Sequence, residues 1–316
     1  MLYSVLLEWE NVRQYSPGGR ECEVLRRLAR QMRQVEHPGE VLLIYDRYEV
    51  DEAALRRVCR ENMSGVESRF IPASALHYYQ LKNEGVRHAR GSIVVMLDSD
   101  VLPEENWLSQ TLKPYLDDQA VRVIAGSPYV ESGSTYGKAM AACWMFPLRP
   151  EDGPISVTRN FYANSVSFRK EVAERFPFPD ETRRYRGQCA DLARRLTTEG
   201  VTIYLNPNAR VSHPPPEGVR GFVRRALWHG NDEFYTNLYR RKSKLDATLI
   251  SMWSVLRRTA TIPRRVLRAR KVAGLPATQV PLASAIGIFL YALTFAGVIL
   301  TALQPNFCHR HCSMDH

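Results

Sequence analysis

Hydrophobic and polar positions in the first third of the chain follow two alternating patterns. Short runs rich in strand-forming residues occur at residues 2–7, 40–45, 68–71 and 92–97. Between them lie segments in which apolar residues recur at helical spacing, namely residues 22–35, 52–60 and 76–90. Because strands that alternate with helices form a mostly parallel sheet, the pattern predicts an α/β fold with a twisted sheet flanked by helices.

The apolar pattern changes near the end of the chain. Residues 257–271 carry seven basic residues and no acidic residue, whereas residues 280–303 contain no charged side chain. An uncharged run of that length is sufficient to cross a hydrocarbon core of about 30 Å, so we predict a transmembrane helix. The basic run before it then indicates an anionic membrane surface rather than nucleic acid as its partner.

Length and composition agree with this division. The chain has 316 residues, of which 45% are hydrophobic and 24% charged, with a net charge of +10. These values are typical of a folded protein with one large α/β domain and an appendage. The predicted segments are a catalytic α/β domain at 1–240, a basic amphipathic membrane-interface segment at 241–279, the transmembrane helix at 280–303 and a short disordered tail at 304–316.

The predicted strand at 92–97 runs directly into two acidic residues, Asp98 and Asp100. Residues two apart in an extended backbone project from the same face, so both carboxylates can approach one divalent cation that also holds a diphosphate. The same pair could instead form a solvated acidic turn at the end of a strand. The residues upstream of the pair distinguish between a metal site and a solvated turn.

Those upstream residues make the segment specific. Asn83 and Gly85 are followed by Ala89 and Gly91, and then by the apolar strand that ends in the Asp-x-Asp pair. This order resembles the nucleotide-binding core of the family 2 glycosyltransferases. The resemblance implies a GT-A fold, a nucleotide-diphosphate sugar as donor, transfer with inversion, and Mn²⁺ or Mg²⁺ held by Asp98 and Asp100.

Further site residues are implied by the same resemblance. On the donor side they are Glu8 and Asp46, which end the first two strands, together with Asn83, Asp98, Asp100 and Arg225. His213 is expected to join Asp100 on the metal, as a borderline ligand that suits manganese. Asn160 and Trp228 are expected on the acceptor side. A single carboxylate, Asp46, stands where the family has an acidic pair that reads the base.

The expected general base is altered. The family pattern Gly-Glu-Asp-x-Asp-Leu is replaced here by Gly187-Gln188-Cys189-Ala190-Asp191-Leu192. A neutral glutamine cannot take a proton from an acceptor hydroxyl. Cys189 could do so if its thiol were ionised at a helix N-terminus, and Asp191 is the other candidate. The sequence leaves both open.

Two other interpretations follow from the same residues. A pseudoenzyme that binds a nucleotide sugar but lacks a base would explain Gln188 and Cys189. A nucleotidyltransferase would need a glycine-rich phosphate loop after the first strand, and Gly18-Gly19 lies too far from it. Since no signal peptide is visible and basic residues precede the predicted transmembrane helix, we expect a catalytic domain in the cytoplasm and a tail on the opposite side of the membrane. The expected partners are the membrane and a glycan or lipid-linked acceptor.

Overall fold

The computed structural model describes residues 1–9, 19–74, 77–131, 133–144, 146, 148–181 and 183–312. The chain divides into two compact units. Unit 1 comprises Met1–Tyr129, Arg149–Asp180 and Gln188–His213, and unit 2 comprises Val130–Leu148, Glu181–Gly187 and Pro214–His316. The predicted helix start at Leu76 lies outside the described residues.

A mixed sheet forms the centre of unit 1. Its strands, nine among the described residues, are β1 (Tyr3–Glu8), β2 (Gly39–Asp46), β3 (Ser68–Ala73), β4 (Ile93–Asp98), β5 (Leu102–Pro103), β6 (Val123–Val130), β7 (Ser156–Thr158), β8 (Ser165–Arg169) and β9 (Ile203–His213). The spatial order is β3-β2-β1-β4-β8-β6-β9-β5, with β7 paired to β9.

Strand direction changes in the middle of the sheet. Strands β1 to β4 are parallel, as the alternation of strands and helices predicts. Strand β8 is antiparallel to β4, and β6 is antiparallel to β8. Strands β5 and β7 also pair antiparallel with β9. The parallel half is the part in which helices connect consecutive strands, which is the connection that parallel pairing requires.

Helices cover both faces of the sheet in unit 1. They are α1 (Arg20–Gln34), α2 (Glu52–Asn62), α3 (Tyr78–His88), α4 (Trp107–Asp117), α6 (Lys170–Arg175) and α7 (Gln188–Thr198). Alternate residues of β1 enter two different cores: Val5 and Leu7 pack with α1, α2 and α4, whereas Leu6 packs with α3. Burial on both faces explains why β1, β2 and β4 are nearly continuous apolar runs, whereas β3, at the edge of the sheet, is not.

Two glycines of the family-like segment allow close packing on β1. A Cβ added to Gly91 would lie 2.3 Å from the carbonyl carbon of Tyr3. A Cβ added to Gly85 would lie 2.9 Å from Ile44 and 3.0 Å from Leu6. Gly91 therefore has a packing reason, because the turn after α3 meets the backbone of β1, whereas at Gly85 a side chain would have to displace the side-chain ends of Ile44 and Leu6.

Unit 2 is helical. Its helices are α5 (Thr135–Cys143), α8 (Gly218–Arg241), α9 (Lys244–Ala269), α10 (Val280–Leu303) and α11 (Phe307–His311). Helix α10 with the turn before it, Ala277–Leu303, is the single helix of the described chain that is long and apolar enough to cross a membrane. It packs on α8, α9 and α5. Helix α11 is ordered, so the prediction of a disordered tail is wrong for residues 307–311.

Candidate active site

Strands β1 and β4 end side by side in acidic residues. Glu8 and Asp98 are register partners, and Lys82 of α3 lies between them, with its Nζ 2.7 Å from Asp98 Oδ1 and 3.2 Å from Glu8 Oε2. The hydroxyl of Tyr78 donates to Asp98, with distances of 2.7 and 2.8 Å to the two carboxylate oxygens. All three charged side chains are at most 1% exposed. The parallel register thus builds a buried acid–base cluster.

Burial determines the protonation of this cluster. Desolvation, followed by the charge of Asp98, raises the pKa of the Glu8 carboxyl well above its usual value, although Lys82 opposes the shift. Desolvation lowers the pKa of Lys82, but the charges of Asp98 and Glu8 more than reverse this and raise it overall. Lys82 therefore stays cationic and pairs mainly with Asp98, while Glu8 has an increased tendency to hold a proton.

Asp100 lies beside His213. The pairing of β5 with β9 sets Leu102 opposite Ser212, and His213 Nε2 is 3.9 Å from Asp100 Oδ2. Arg20, the first residue of α1, donates to the backbone carbonyls of both Asp100 and Ser212. One guanidinium therefore holds together the two segments that carry Asp100 and His213.

Several buried polar atoms near the end of β4 have no hydrogen-bond partner among the described residues. They are Ser99 Oγ, Asp100 Oδ1, and both the Nδ2 and Oδ1 of Asn164. Asn164 is 2% exposed and precedes Ser165, whose partner on β4 is Leu97. The antiparallel register therefore sets Asn164 opposite Asp98. Buried polar groups normally have partners, so a cluster of them without one is typical of a site that a polar ligand completes.

These residues fit a divalent cation that shares its coordination with a substrate. Within the described part of the chain, no group of three or more His, Cys, Asp and Glu side chains could hold a metal by itself. Mg²⁺ commonly takes only one or two carboxylates from the protein and the rest from phosphates and water. Asp100, whose Oδ1 has no partner among the described residues, could supply such a carboxylate, whereas the imidazole of His213 is a ligand that suits Mn²⁺ better than Mg²⁺. Asp98 is already engaged by Lys82 and Tyr78, and its predicted role as a ligand stays a prediction.

The altered acceptor motif lies at the start of α7. Gly187 has φ 114°, a conformation that favours glycine. Gln188 is buried, and the Sγ of Cys189 lies 3.5 Å from the hydroxyl of Tyr79. The side chain of Asp191 is 22% exposed and lies 3.6 Å from Arg194. Asp191 is therefore the carboxylate in the first turn of this helix that solvent or an acceptor can reach.

The other predicted residues of unit 1 have varied surroundings. Asp46 ends β2 and is half-buried, and its Oδ1 accepts a hydrogen bond from the backbone of Tyr48. Asn83 is bound at both ends of its amide by the backbone of Phe178, at 2.9 and 3.0 Å. That pairing gives Asn83 a structural role, and its donor contact stays a prediction. Asn160 is exposed.

Arg225 and Trp228 belong to unit 2. The guanidinium of Arg225 lies 4.8 Å from the centre of the Tyr185 ring. Trp228 is buried, and its indole Nε1 donates to the carbonyl of Cys312 at 2.7 Å. Both roles that the resemblance implies, a donor contact for Arg225 and an acceptor contact for Trp228, stay predictions.

Lys82 and Tyr78 are site residues that the sequence reasoning missed. A signal for them exists: Tyr78, Lys82, Val86 and Ala89 follow helical spacing, so Lys82 stands in the apolar stripe of its helix. A lysine in such a stripe has to pair with a buried acid, because an unpaired buried charge is too costly. Arg20 carried no comparable signal, since its contacts are to backbone atoms far away in sequence.

Residues 76–176 match the model of the family described as Glycosyl transferase family 2. A search of curated protein sequences gave no significant match. The fold is similar to that of the mannosyltransferase PcManGT from Pyrobaculum calidifontis in complex with GDP-Man and Mn²⁺, with TM-score 0.58, 18% identity, and coverage of 96% of this chain and 87% of that chain.

A second similar structure is S. aureus TarS 1-349 in complex with UDP-GlcNAc. It has TM-score 0.53 and 13% identity, and the match covers 94% of this chain and 91% of that chain. At such identities, the likeness to both structures establishes the shared fold. The family match covers the segment that contains Lys82, Asp98, Asp100 and Asn164.

Proposed function

The chain is a family 2 glycosyltransferase with a GT-A fold, and we propose that it transfers a sugar from a nucleotide-diphosphate donor to an acceptor with inversion, at a membrane. Binding of the donor is supported by the buried polar atoms of Ser99, Asp100 and Asn164 that have no hydrogen-bond partner among the described residues. A diphosphate and a sugar have the hydrogen-bonding groups that would complete them.

In this proposal Asp100 and His213 hold a divalent cation together with the donor. When bound, the cation supplies positive charge that stabilises the leaving diphosphate. Asn164, opposite Asp98 in the sheet, is suited to hydrogen-bond the sugar or the ribose. Asp98 is held in one orientation by Lys82 and Tyr78, which limits its freedom before the donor binds.

The acceptor half requires a group that removes a proton. As the acceptor oxygen bonds to the anomeric carbon, the bond from that carbon to the diphosphate breaks and the hydroxyl proton has to leave. We assign this proton to Asp191, because it is an accessible carboxylate in the first turn of α7. Cys189 is the alternative, and its Sγ lies 3.5 Å from the hydroxyl of Tyr79.

We further propose that unit 2 associates with a membrane while the catalytic unit stays in the cytoplasm. The arginine-rich run at 257–271 and the apolar helix α10 support this proposal. A site held close to lipid is suited to a lipid-linked or cell-envelope glycan as acceptor. Such an acceptor would be difficult to reach for an enzyme free in solution.

Release of nucleotide diphosphate from a panel of nucleotide sugars, with and without Mn²⁺, tests the proposal. Asp100→Asn is expected to lower kcat/KM by about 10²–10³-fold, because it removes metal-dependent charge stabilisation. Asp191→Asn is expected to lower kcat by about 10²–10⁴-fold with donor binding retained. Asp117→Asn, at an exposed carboxylate of α4 paired with Lys113, is the matched control and should keep full activity.

Two outcomes would contradict parts of this assignment. If Cys189→Ala abolishes turnover and Asp191→Asn does not, the thiol is the base. If the wild type binds donors in a Mn²⁺-dependent manner but releases no nucleotide with any acceptor fraction, the chain is the nucleotide-sugar-binding pseudoenzyme that Gln188 and Cys189 suggest.

A further inference from the structure

Helix α10 packs against α8, α9 and α5, while its Leu282, Ile288, Phe289 and Leu303 remain 41% to 77% exposed. It runs parallel to α8, because Phe222 stacks on Phe289 near one end and the hydroxyl of Tyr235 donates to the carbonyl of Pro305 beyond the other. At the midpoint the two backbones touch: a Cβ on Gly230 would lie 2.1 Å from the carbonyl oxygen of Thr294. Any membrane that α10 crossed would therefore have to contain α8 as well.

Helix α8 is poorly suited to that environment. It carries Arg220, Arg224, Arg225, Arg240 and Arg241. Asp232 and His229 are also on this helix. The Asp232 carboxylate accepts hydrogen bonds from the backbone N–H groups of Tyr185 and Arg186 at 2.8 and 2.9 Å. Charged residues inside hydrocarbon are costly, and α8 carries Asp232 and Glu233 near its middle in addition to the arginines toward its two ends.

The segment that follows α10 contacts a part of unit 2 that lies next to unit 1 in the sequence. The carbonyl of Cys312 accepts the indole N–H of Trp228, whose ring packs on Tyr185 at 5.8 Å between centres. Tyr185 precedes Gln188, a residue of unit 1, by three positions. Three residues span at most about 11 Å.

The N-terminal end is tied in the same way through α5. The hydroxyl of Thr135 donates to the Gln279 side chain at 2.9 Å, and the hydroxyl of Tyr291 donates to the carbonyl of Cys143. Thr135 follows Tyr129, a residue of unit 1, by six positions. Six residues span at most about 22 Å.

The chain lengths that join Tyr185 and Thr135 to unit 1, at most about 11 and 22 Å, are both shorter than the hydrocarbon core of about 30 Å. If α10 crossed, the contacts at Tyr185 and at Thr135 would have to lie at opposite bilayer surfaces, although these residues are only three and six positions from unit 1. We propose that α10 does not cross the membrane, that the C-terminus stays on the side of the catalytic unit, and that unit 2 docks on one leaflet of an anionic bilayer. The proposal deepens the membrane association proposed above and rests on it. In this proposal α10 is a helix of unit 2 on one side of the membrane, rather than the transmembrane helix that its apolar sequence alone predicts.

Helix α9 provides the docking surface. Its exposed apolar residues, 49% to 68% exposed, are Leu245, Leu249, Trp253, Leu256 and Leu267. At about 100° per residue they fall within an arc of about 80°, here called the apolar stripe. The exposed arginines Arg257, Arg264 and Arg268 occupy the next 40° or so of the helix surface.

The opposite face of α9 is occupied by unit 2. Ala247, Val255 and Ile262 are buried there. Apolar side chains beside a row of arginines match an interface in which the stripe enters the acyl boundary and the guanidinium groups meet lipid phosphates. This charge pattern favours an anionic lipid surface over a second copy of a chain whose own net charge is +10.

Membrane topology is tested with the full chain carrying one epitope tag before Met1 and another after His316. Sealed membrane vesicles of opposite orientation are treated with protease. We expect both tags to be cut in vesicles that expose the cytoplasmic face and both to be protected in the opposite orientation. Removal of one tag in each orientation would show that α10 crosses, and would overturn the proposal.

The docking surface is tested by sedimentation with vesicles of phosphatidylcholine alone or with about 30% phosphatidylglycerol. The wild type should bind the anionic vesicles more tightly, by about fivefold for each arginine that contacts lipid. Leu249→Glu with Trp253→Glu should weaken binding about tenfold or more. Val157→Glu, at an exposed apolar residue of β7, is the matched control and should bind like the wild type.

Unchanged binding of the double variant would overturn the docking surface. The docking surface would also be overturned if light scattering showed that the wild type is a dimer and the double variant a monomer, because the apolar stripe would then bind a second copy of the chain. Nucleotide release with a soluble acceptor, measured on the same samples, reports the proposed transferase activity separately. A failure of docking is thereby distinguished from a failure of the enzyme assignment.

Discussion

Replacing Lys82 by methionine should destabilise unit 1 strongly. The ammonium of Lys82 is fully buried and lies 2.7 Å from Asp98 and 3.2 Å from Glu8. Methionine fills a similar volume but leaves two buried acids without a counter-charge. Breaking a buried ion pair by removing one partner costs about 3–5 kcal/mol. For a unit of this size, that corresponds to a decrease in melting temperature of roughly 6–20 °C.

Glu8→Gln is the matched control. Glutamine has the shape of a protonated glutamate, and burial already raises the pKa of Glu8 well above its usual value. The Lys82–Asp98 pair also remains intact. We therefore expect a loss of only about 1 kcal/mol. The double variant should be less destabilised than the sum of the two single changes, because it contains one buried acid instead of two.

The pH dependence follows from the same carboxyl groups. A buried acid whose folded-state pKa is raised stabilises the protein most at low pH, and this contribution is lost as pH rises through the raised value. Without Lys82, whose charge lowers it, the pKa of Glu8 should rise further. The difference in melting temperature between wild type and Lys82→Met should therefore shrink as pH falls from about 8 to about 5.5.

Thermal unfolding of the full chain in detergent, followed by calorimetry, measures these differences. The reasoning would be refuted if Lys82→Met melted within about 2 °C of the wild type, or if Glu8→Gln cost as much as Lys82→Met. Either result would mean that the cluster is hydrated or that its charges are compensated elsewhere.

Two further predictions concern unit 1. Burial opposes ionisation of Glu104, but hydrogen bonds from Arg149 and Arg210 lower the pKa of this carboxyl to about 2. The ionised carboxylate should therefore stabilise the protein above about pH 4.5, and this contribution should be lost as pH falls toward 2. Glu104→Gln should flatten the profile of melting temperature against pH between about pH 5 and pH 3, and an unchanged slope would contradict this. Gly91→Ala should lower the free energy of unfolding by about 2–3 kcal/mol, because its Cβ would meet backbone atoms. Gly133→Ala in unit 2, whose Cβ would meet no atom of the described residues beyond its chain neighbours within 4 Å, should be neutral in urea unfolding; equal effects would refute the packing argument.

The parallel half of the sheet could be predicted from the sequence because its information is local. Strands β1, β2 and β4 are buried apolar runs, and the helices between the strands show helical spacing within a few residues. The pattern from Asn83 to Asp100 also predicted the family, since glycines required by close packing and acids at a strand end occur within a short segment.

The antiparallel half depended on contacts between distant segments. Nothing near Asn164 in the sequence indicates that β8 enters the sheet beside β4. Arg20 joins Asp100 to Ser212 through backbone carbonyls, which every residue possesses. Contacts of this kind leave no signature in residue type.

The sequence by itself determined the α/β pattern, the family resemblance and the presence of one long apolar helix, because hydrophobic spacing and short motifs are properties of neighbouring residues. Only the tertiary structure decided that Lys82 neutralises the end of β4, that Asn164 faces it, and that α10 packs along a charged helix. Those facts depend on which surfaces meet after folding. An apolar run specifies that a helix must be covered, whereas packing determines whether protein or lipid covers it.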